Sequence, residues 1–424
     1  MFIISPLLLS LLTVNVAAPS DNVTDYPSIQ AAIDANPGRI LMVPQGEYRI
    51  TEKIRLRGDH SGLSGRGRIV QTNPAHPIIE AERCHGVLLR DLELTRTEET
   101  STTTTEGVLA IGCRDLVIEN VRVLNNRTVS AAIRLRECEA ARVSHCLIRN
   151  YSRISIDDRR ANTELYGYAF HCIDGTGIGI SESIGTLIEM NRIVEDDLKP
   201  TPELQQRYQL GRFSGKNAVK PPGMNSTVWD AEYVNNWHQG SAIVVTSPEV
   251  SRQTRILGNH IQNAAQGIDL HCDQVIVSQN IVDNAFVGMK AMHGSRNVLI
   301  TGNQFLRNDL WAIGLMPGAA AHPNNSDGGS IIANNIISDF GHGDANWIWG
   351  NNHSPLKFDR GQAADDPPLT DVLIQGNVIQ AVGPPRYEYT VIIESGGSAP
   401  VGLRFSDNLF HPGTAGISNQ TITP

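Results

Sequence analysis

Aromatic side chains are scarce in this chain of 424 residues: phenylalanine, tyrosine and tryptophan together make up 5% of it. With 38 glycines and many asparagines, that composition suits a turn-rich all-β chain more than a helical one. Positive charge is in deficit too. The formal net charge is −9, which argues against a nucleic-acid footprint, although a local basic patch or a bound cation would still receive an anionic substrate. After the first 18 residues no apolar run is long enough to span a bilayer. Met1 to Ala18 itself has an apolar run and ends in Val16-Ala-Ala, the shape of a signal peptide, but lacks Lys and Arg ahead of that run. The expectation is a secreted protein, extracellular or periplasmic, with 1–18 removed and 19–424 forming a single domain. Nothing in the chain indicates an oligomeric state.

What the chain has instead is a repeat. Between Thr254 and Met316 three segments read almost alike: Thr254-Arg-Ile-Leu-Gly-Asn-His-Ile, Val275-Ile-Val-Ser-Gln-Asn-Ile-Val and Val298-Leu-Ile-Thr-Gly-Asn-Gln-Phe. Each reads as a period-2 strand with an Asn at a fixed offset, Asn259, Asn280 and Asn303, spaced by 21 and 23 residues. A repeat of that length is the sequence form of a parallel β-solenoid, whose coils stack because none covers its own apolar edge. The same phase extends the column to Asn191, Asn335, Asn377 and Asn408. An amide both donates and accepts, so stacked asparagines can bond to the next turn and to their own backbone, a structural role. Of six cysteines, Cys84, Cys113, Cys138 and Cys272 each lie three residues before the next strand, at Val87, Leu116, Ala141 and Val275. One phase implies one column, so a ladder of buried free thiols is favoured. Coils about 4.8 Å apart still leave a Cys113–Cys138 disulfide within reach.

Ahead of the coils, Pro27-Ser-Ile-Gln-Ala-Ala-Ile-Asp-Ala-Asn reads as a short amphipathic helix, followed by Ile40-Leu-Met-Val-Pro-Gln-Gly-Glu-Tyr-Arg-Ile. A helix, a strand and a Pro-x-Gly-x-Tyr turn suit a cap over the first coil's open end, within 19–75. This run, with Gly62-Leu-Ser-Gly-Arg-Gly downstream, resembles the N-terminal cap of the right-handed parallel β-helix proteins of the pectate-lyase-like superfamily. The resemblance covers nearly the whole mature chain. It implies an all-β fold: a right-handed parallel β-helix (solenoid) with a short capping helix and long loop excursions.

Those excursions interrupt the repeat from Val194 to Gly240, from Pro317 to Gly329 and from Gly341 to Thr370. Long loops on a rigid scaffold usually carry function, so they read as walls of a groove. Trp237, His238, Trp311, Trp347 and Trp349 are then candidate sugar-contacting groups, with loop-pinning as the plainer alternative. Glu195, Asp196 and Asp197 read as a solvated charge run.

A second strand precedes the cysteine phase in each coil: Ala132-Ile-Arg-Leu-Arg, Gly167-Tyr-Ala-Phe-His, Gly240-Ser-Ala-Ile-Val, Gly267-Ile-Asp-Leu-His, Gly288-Met-Lys-Ala-Met and Ala312-Ile-Gly-Leu-Met. Alternation sends Ile133, Leu135, Ile268, Leu270, Met289 and Ala291 inward. Arg134, Arg136, His171, Asp269, His271, Lys290 and Met292 point out, with Asp269 beside Lys290 and His271 one pleat along. His293 could add an acid or base, although strict alternation points it inward. The plainer reading of Asp269 and Lys290 is a surface ion pair of small value.

This set suits β-elimination from a uronic-acid polysaccharide, which needs a base for the proton alpha to the carboxylate and positive charge for the developing anion. His271 fits the base better than Lys290, because a neighbouring Asp269 carboxylate keeps a lysine charged. Asp269 would orient His271, and Lys290 or Arg136 would neutralise the substrate carboxylate; Arg134 and His171 would bind substrate. The resemblance implies a further option, a Lys or Arg base with Ca2+ on acidic residues, but no convincing acidic trio is present. The Asp-Pro-His motif of the alginate epimerase branch is absent. The paired acids Asp157-Asp158 and Asp365-Asp366 stand in loop-like context, unlike those of the polygalacturonase-type hydrolases. The alternatives to a lyase are a glycoside hydrolase or epimerase using Asp269 and His271, or a non-catalytic carbohydrate-binding surface protein.

Overall fold

The computed structural model describes residues 20–97, 103–128, 130–152, 175–196, 240–318, 327–343, 353–361, 366–380 and 382–422, with short strands at Phe213–Ser214 and Tyr233–Val234. Three sheets of 12 strands each wrap one apolar column, and successive coils pair in parallel. Each coil gives one strand to each sheet in turn, as Arg255–Leu257, His260–Gln262 and Gln266–Leu270 do. At the N-terminal end the helix Ile29–Ala35, capped by the Ser28 side chain on the Ala31 N–H, buries Ile29, Ala32 and Ile33 over the first coil. No helix among the described residues is long and apolar enough to cross a membrane. The expected leader at 1–18 lies outside the described residues.

The segments expected as single strands are each two strands meeting at a corner. In Thr254–Ile261, Arg255–Leu257 lies in the first sheet and His260–Gln262 in the second. The residue before each column Asn takes a left-handed backbone: Met190, Gly258, Gln279, Gly302, Asn334, Gly376 and Asp407 have φ between 54° and 66°. Inward parity shifts by one residue there. Outward apolar residues such as Ile276, 37% exposed, conceal that shift in the sequence.

The Asn column then bridges the coils. The backbone N–H and Nδ2 of Asn259 both donate to Asn280 Oδ1 at 2.9 Å, and those of Asn280 donate to Asn303 Oδ1 at 2.9 Å. The pattern runs unbroken from Asn191 to Asn408. Buried amides of this kind are costly to leave unpaired, so the column locks the register. The thiol column is also present: Cys84, Cys113, Cys138 and Cys272 are buried and unbridged. Cys113 Sγ donates to Ala81 O at 3.5 Å and Cys138 Sγ to Ala110 O at 3.7 Å.

Two expectations about the interruptions need correction. The span from Gly341 to Thr370 contains a strand, Ser354–Phe358, in the third sheet against Trp311–Met316. It begins Ser-Pro rather than with the Gly or Ala that marks the other coils, so the phase was missed. Glu195 is not solvated: it is 1% exposed, its Oε2 takes a bond from Arg127 Nη1 at 3.1 Å, and its Oε1 has no partner. Its neighbour Asp196 does reach solvent, on Arg149. Asp197 lies outside the described residues.

Burial pushes the Glu195 carboxyl up from 4.5 to about 7, against the pull of Arg127. The folded state therefore holds this proton more tightly than the unfolded chain, and stability falls as pH rises from 4.5 to about 7. Glu195→Gln should remove that decline, stabilising the protein at pH 8 relative to pH 5 by on the order of 3 kcal/mol against wild type. Denaturant melts at the two pH values test it, and parallel losses in both proteins would reject a buried, protonatable Glu195.

Candidate active site on the third sheet

The third sheet stacks Ala131–Arg136, Thr176–Ser181, Ser241–Thr246, Gln266–Leu270, Val287–Met292, Trp311–Met316 and Ser354–Phe358 in that order. The strand stacked on Ala131–Arg136 is Thr176–Ser181, not the expected Gly167–His171, which lies outside the described residues. The small-residue cue recurs at Gly177, opposite Ala132, and that later copy is the one in phase. Inward positions agree with alternation: Ile133, Leu135, Ile268, Leu270 and Met289 have no exposure.

Outward, the register runs Arg134, Gly179, Val244, Asp269, Lys290 and Gly314. Asp269 and Lys290 are thus direct neighbours on adjacent coils. Lys290 Nζ lies 3.3 Å from Asp269 Oδ2, and His271 Nε2 lies 3.1 Å from Asp269 Oδ1. The second contact is within hydrogen-bond distance but not aligned as a hydrogen bond, so Oδ1 is buried without a hydrogen-bond partner. Asp269 is only 8% exposed, so this is not the weak surface pair of the plainer reading. Burial works against charge on Asp269, but Lys290 and His271 overcome it and hold the carboxyl below its usual range.

His293 breaks the alternation that would have buried it in the core. Its backbone is left-handed, φ 48°, and the ring turns to the outer face. There it meets His271 edge-on, with ring centroids 5.6 Å apart at 79°. Burial, together with the nearby His271 and Lys290, holds its imidazole below the ordinary 6.5, so the ring is neutral at neutral pH. Its Nε2 is buried and unpartnered. Asp366, discounted in the sequence as part of a loop-like acid pair, bears on this ring and favours its charged form, though more weakly.

Other expected site residues stand apart. Arg134 donates to Ser130 Oγ at 3.2 Å and lies three coils from Asp269, about 14 Å at the usual strand spacing. Arg136, on the same strand, is exposed beside Glu137, so Lys290 and not Arg136 is the cation at the cluster. Trp311 is 7% exposed, packed with Phe286, Val287 and Leu310, and has little ring face to offer a sugar. His171, Trp237, His238, Trp347 and Trp349 lie outside the described residues, as do Asp157, Asp158 and Asp365. Among the described residues no group of three or more His, Cys, Asp or Glu could hold a metal ion. The cluster carboxylate, already between two basic side chains, is a poor fit for Ca2+.

No protein-family model matches the chain, and no curated protein does. Among solved structures it is similar to a PL6 alginate lyase in complex with a trisaccharide, with 10% identity and a TM-score of 0.55, over 88% of this chain and 73% of that one. It is similar to the Dettilon tailspike protein at 14% identity and a TM-score of 0.61, over 92% and 64% of the two chains. A third likeness is to the DFA-IIIase of Arthrobacter chlorophenolicus A6, at 11% identity and a TM-score of 0.58, over 95% and 98%. The chain is a right-handed parallel β-helix. In this β-helix the cluster sits midway along the third sheet, where the adjacent strands Gln266–Leu270 and Val287–Met292 present their outward residues together.

Gly318 closes the cluster on one side. A Cβ there would stand 3.0 Å from His293 Cδ2 and 3.3 Å from its Nε2. Gly318→Ala should push the ring by a few tenths of an ångström and lower turnover about tenfold, with an unchanged far-UV spectrum. Full turnover in the folded variant would show that the seat of His293 does not matter.

Proposed function

We propose that the protein is a carbohydrate-active enzyme that cleaves a uronic-acid-containing polysaccharide by β-elimination. The observation that carries this reading is Asp269 held between His271 and Lys290 on one outward face. His271 Nε2 faces Asp269, which favours the tautomer with its proton on Nε2 and a lone pair on Nδ1. That lone pair takes the proton alpha to the uronate carboxylate. Electrons from the broken C–H bond form the new C=C bond, the glycosidic C–O bond breaks, and the leaving oxygen takes up a proton from water, while the proton on His271 passes to solvent. The Lys290 ammonium, 3.3 Å from Asp269, neutralises the substrate carboxylate as negative charge builds on it.

A hydrolytic reading needs a protonated carboxyl as general acid. Asp269, held ionised by two basic neighbours, does not suit that part. Fold likeness to a lyase bound to a trisaccharide supports a sugar substrate by analogy only.

Incubation with pectate, alginate and glycosaminoglycans tests the proposal through the ultraviolet absorbance of an unsaturated uronate product. New reducing ends without that absorbance would point to hydrolysis; neither signal would point to binding alone. On the substrate so found, His271→Ala and Lys290→Ala should each cut turnover at least about a hundredfold while the far-UV spectrum holds. Wild-type turnover in both would remove this face from consideration.

A further inference from the structure

Asp327 belongs to no strand and no repeat phase, yet it is 2% exposed and surrounded by main-chain donors. Its Oδ1 accepts the N–H groups of Gly294 at 3.0 Å and Ser295 at 2.9 Å. Its Oδ2 accepts those of Gly294 at 3.0 Å and Gly318 at 3.2 Å. The first two donors belong to the turn that follows the Lys290 strand, where His293 has φ 48° and Gly294 φ 93°. Successive N–H groups in such a turn converge on one concavity, a nest that takes an anion. Here the anion is the chain's own carboxylate.

The turn is also tied to the neighbouring coil. Ser295 Oγ donates to Leu270 O at 2.8 Å and to Met292 O at 3.0 Å, linking it to the strand that carries Asp269 and ends beside His271. A left-handed histidine carries backbone strain and is held there by its surroundings. The third donor, Gly318, is the residue against which the His293 ring lies.

We infer that Asp327 is a positioning residue for the reaction centre: by filling the nest at Gly294, Ser295 and Gly318 it holds His293 edge-on against His271, the base. This rests on the β-elimination reading for its catalytic meaning but not for its geometry. Burial pushes the Asp327 carboxyl up to about 6 while the N–H donors and His271 pull it back, so at neutral pH it stands charged in its nest. The titratable and charged groups facing His293 are His271, Lys290, Asp269 and Asp366, and the group facing Asp327 is His271.

The test is Asp327→Asn in the full chain, read by NMR titration of labelled histidine rings and by kinetics on the polysaccharide that the wild type cleaves. An amide presents one acceptor and one donor to a nest of donors, so the turn should open and His293 should leave its buried seat. Its titration midpoint should then rise toward 6.5, with kcat at least about tenfold lower and KM within about twofold. Asp327→Glu should recover part of both. A folded Asp327→Asn variant with the His293 midpoint of the wild type overturns the inference and leaves the proposed reaction standing. If the wild type cleaves no uronate polymer, the titration alone decides, and the reaction falls without the inference. Should the variant not fold, amide exchange in the wild type decides. Gly294 and Ser295 should exchange at least about a hundredfold more slowly than open turns, and exchange at open-turn rates overturns the inference.

Discussion

One constraint governs this molecule: each coil must lie on the next in fixed register, and a column of buried asparagines enforces it. Each column Asn from Asn259 to Asn377 accepts two N–H bonds from the Asn of the coil before it and donates two to the Asn of the coil after it. A slip of one residue would leave these groups unpaired in a dry interior and reverse the facing of every strand. Lys290 would then point into the apolar column and Met289 toward solvent. The neighbouring positions of Asp269 and Lys290 are thus a consequence of bonds made at a different corner of the coil, by Asn259 and Asn280.

Among the buried carboxylates of the described residues, Glu195 and Asp269 have different fates for an electrostatic reason. Glu195 has one guanidinium beside it and an oxygen left without a partner, and burial wins, raising its pKa. Asp269 is as well hidden but has Lys290 and His271 on its two oxygens, and there the neighbours win. A buried ion pair is a poor device for stability, because desolvation of the ions offsets most of their attraction. A carboxylate kept charged beside a lysine and two histidines fits prepared chemistry better than stabilisation, and under the proposed function that contrast favours the third sheet over Glu195.

Much of this was legible in the sequence. The repeat, the Asn and Cys columns, the capping helix and the outward row of Asp269, His271 and Lys290 follow from period and phase alone, because side-chain direction in a stacked strand depends on parity. What parity does not govern was missed. The corners within each eight-residue segment were hidden by apolar residues on the outer surface, such as Ile276. The strand Ser354–Phe358 lacks the small residue that opens its counterparts. Glu195 looked solvated because contiguous acids usually are, and its partner Arg127 is distant in sequence. Asp327 and Asp366 return to the cluster from loops whose lengths the repeat does not set.

His293 shows how such a fold escapes its own alternation. Left-handed residues are the ordinary means of turning the chain here, and His60 and His145 occupy such positions with their side chains toward solvent. At His293 the same backbone choice comes at the end of the strand Val287–Met292 instead of at a bare corner, so the ring lands on the outer face beside His271. Two adjoining left-handed residues expose a run of N–H groups that a buried turn cannot leave unmet. A carboxylate in reach is the economical answer, since one anion accepts several donors at once and needs no further chain to be ordered. The turn and Asp327 therefore imply one another: without the anion the turn has unsatisfied donors, and without the turn the anion has no reason to be buried there.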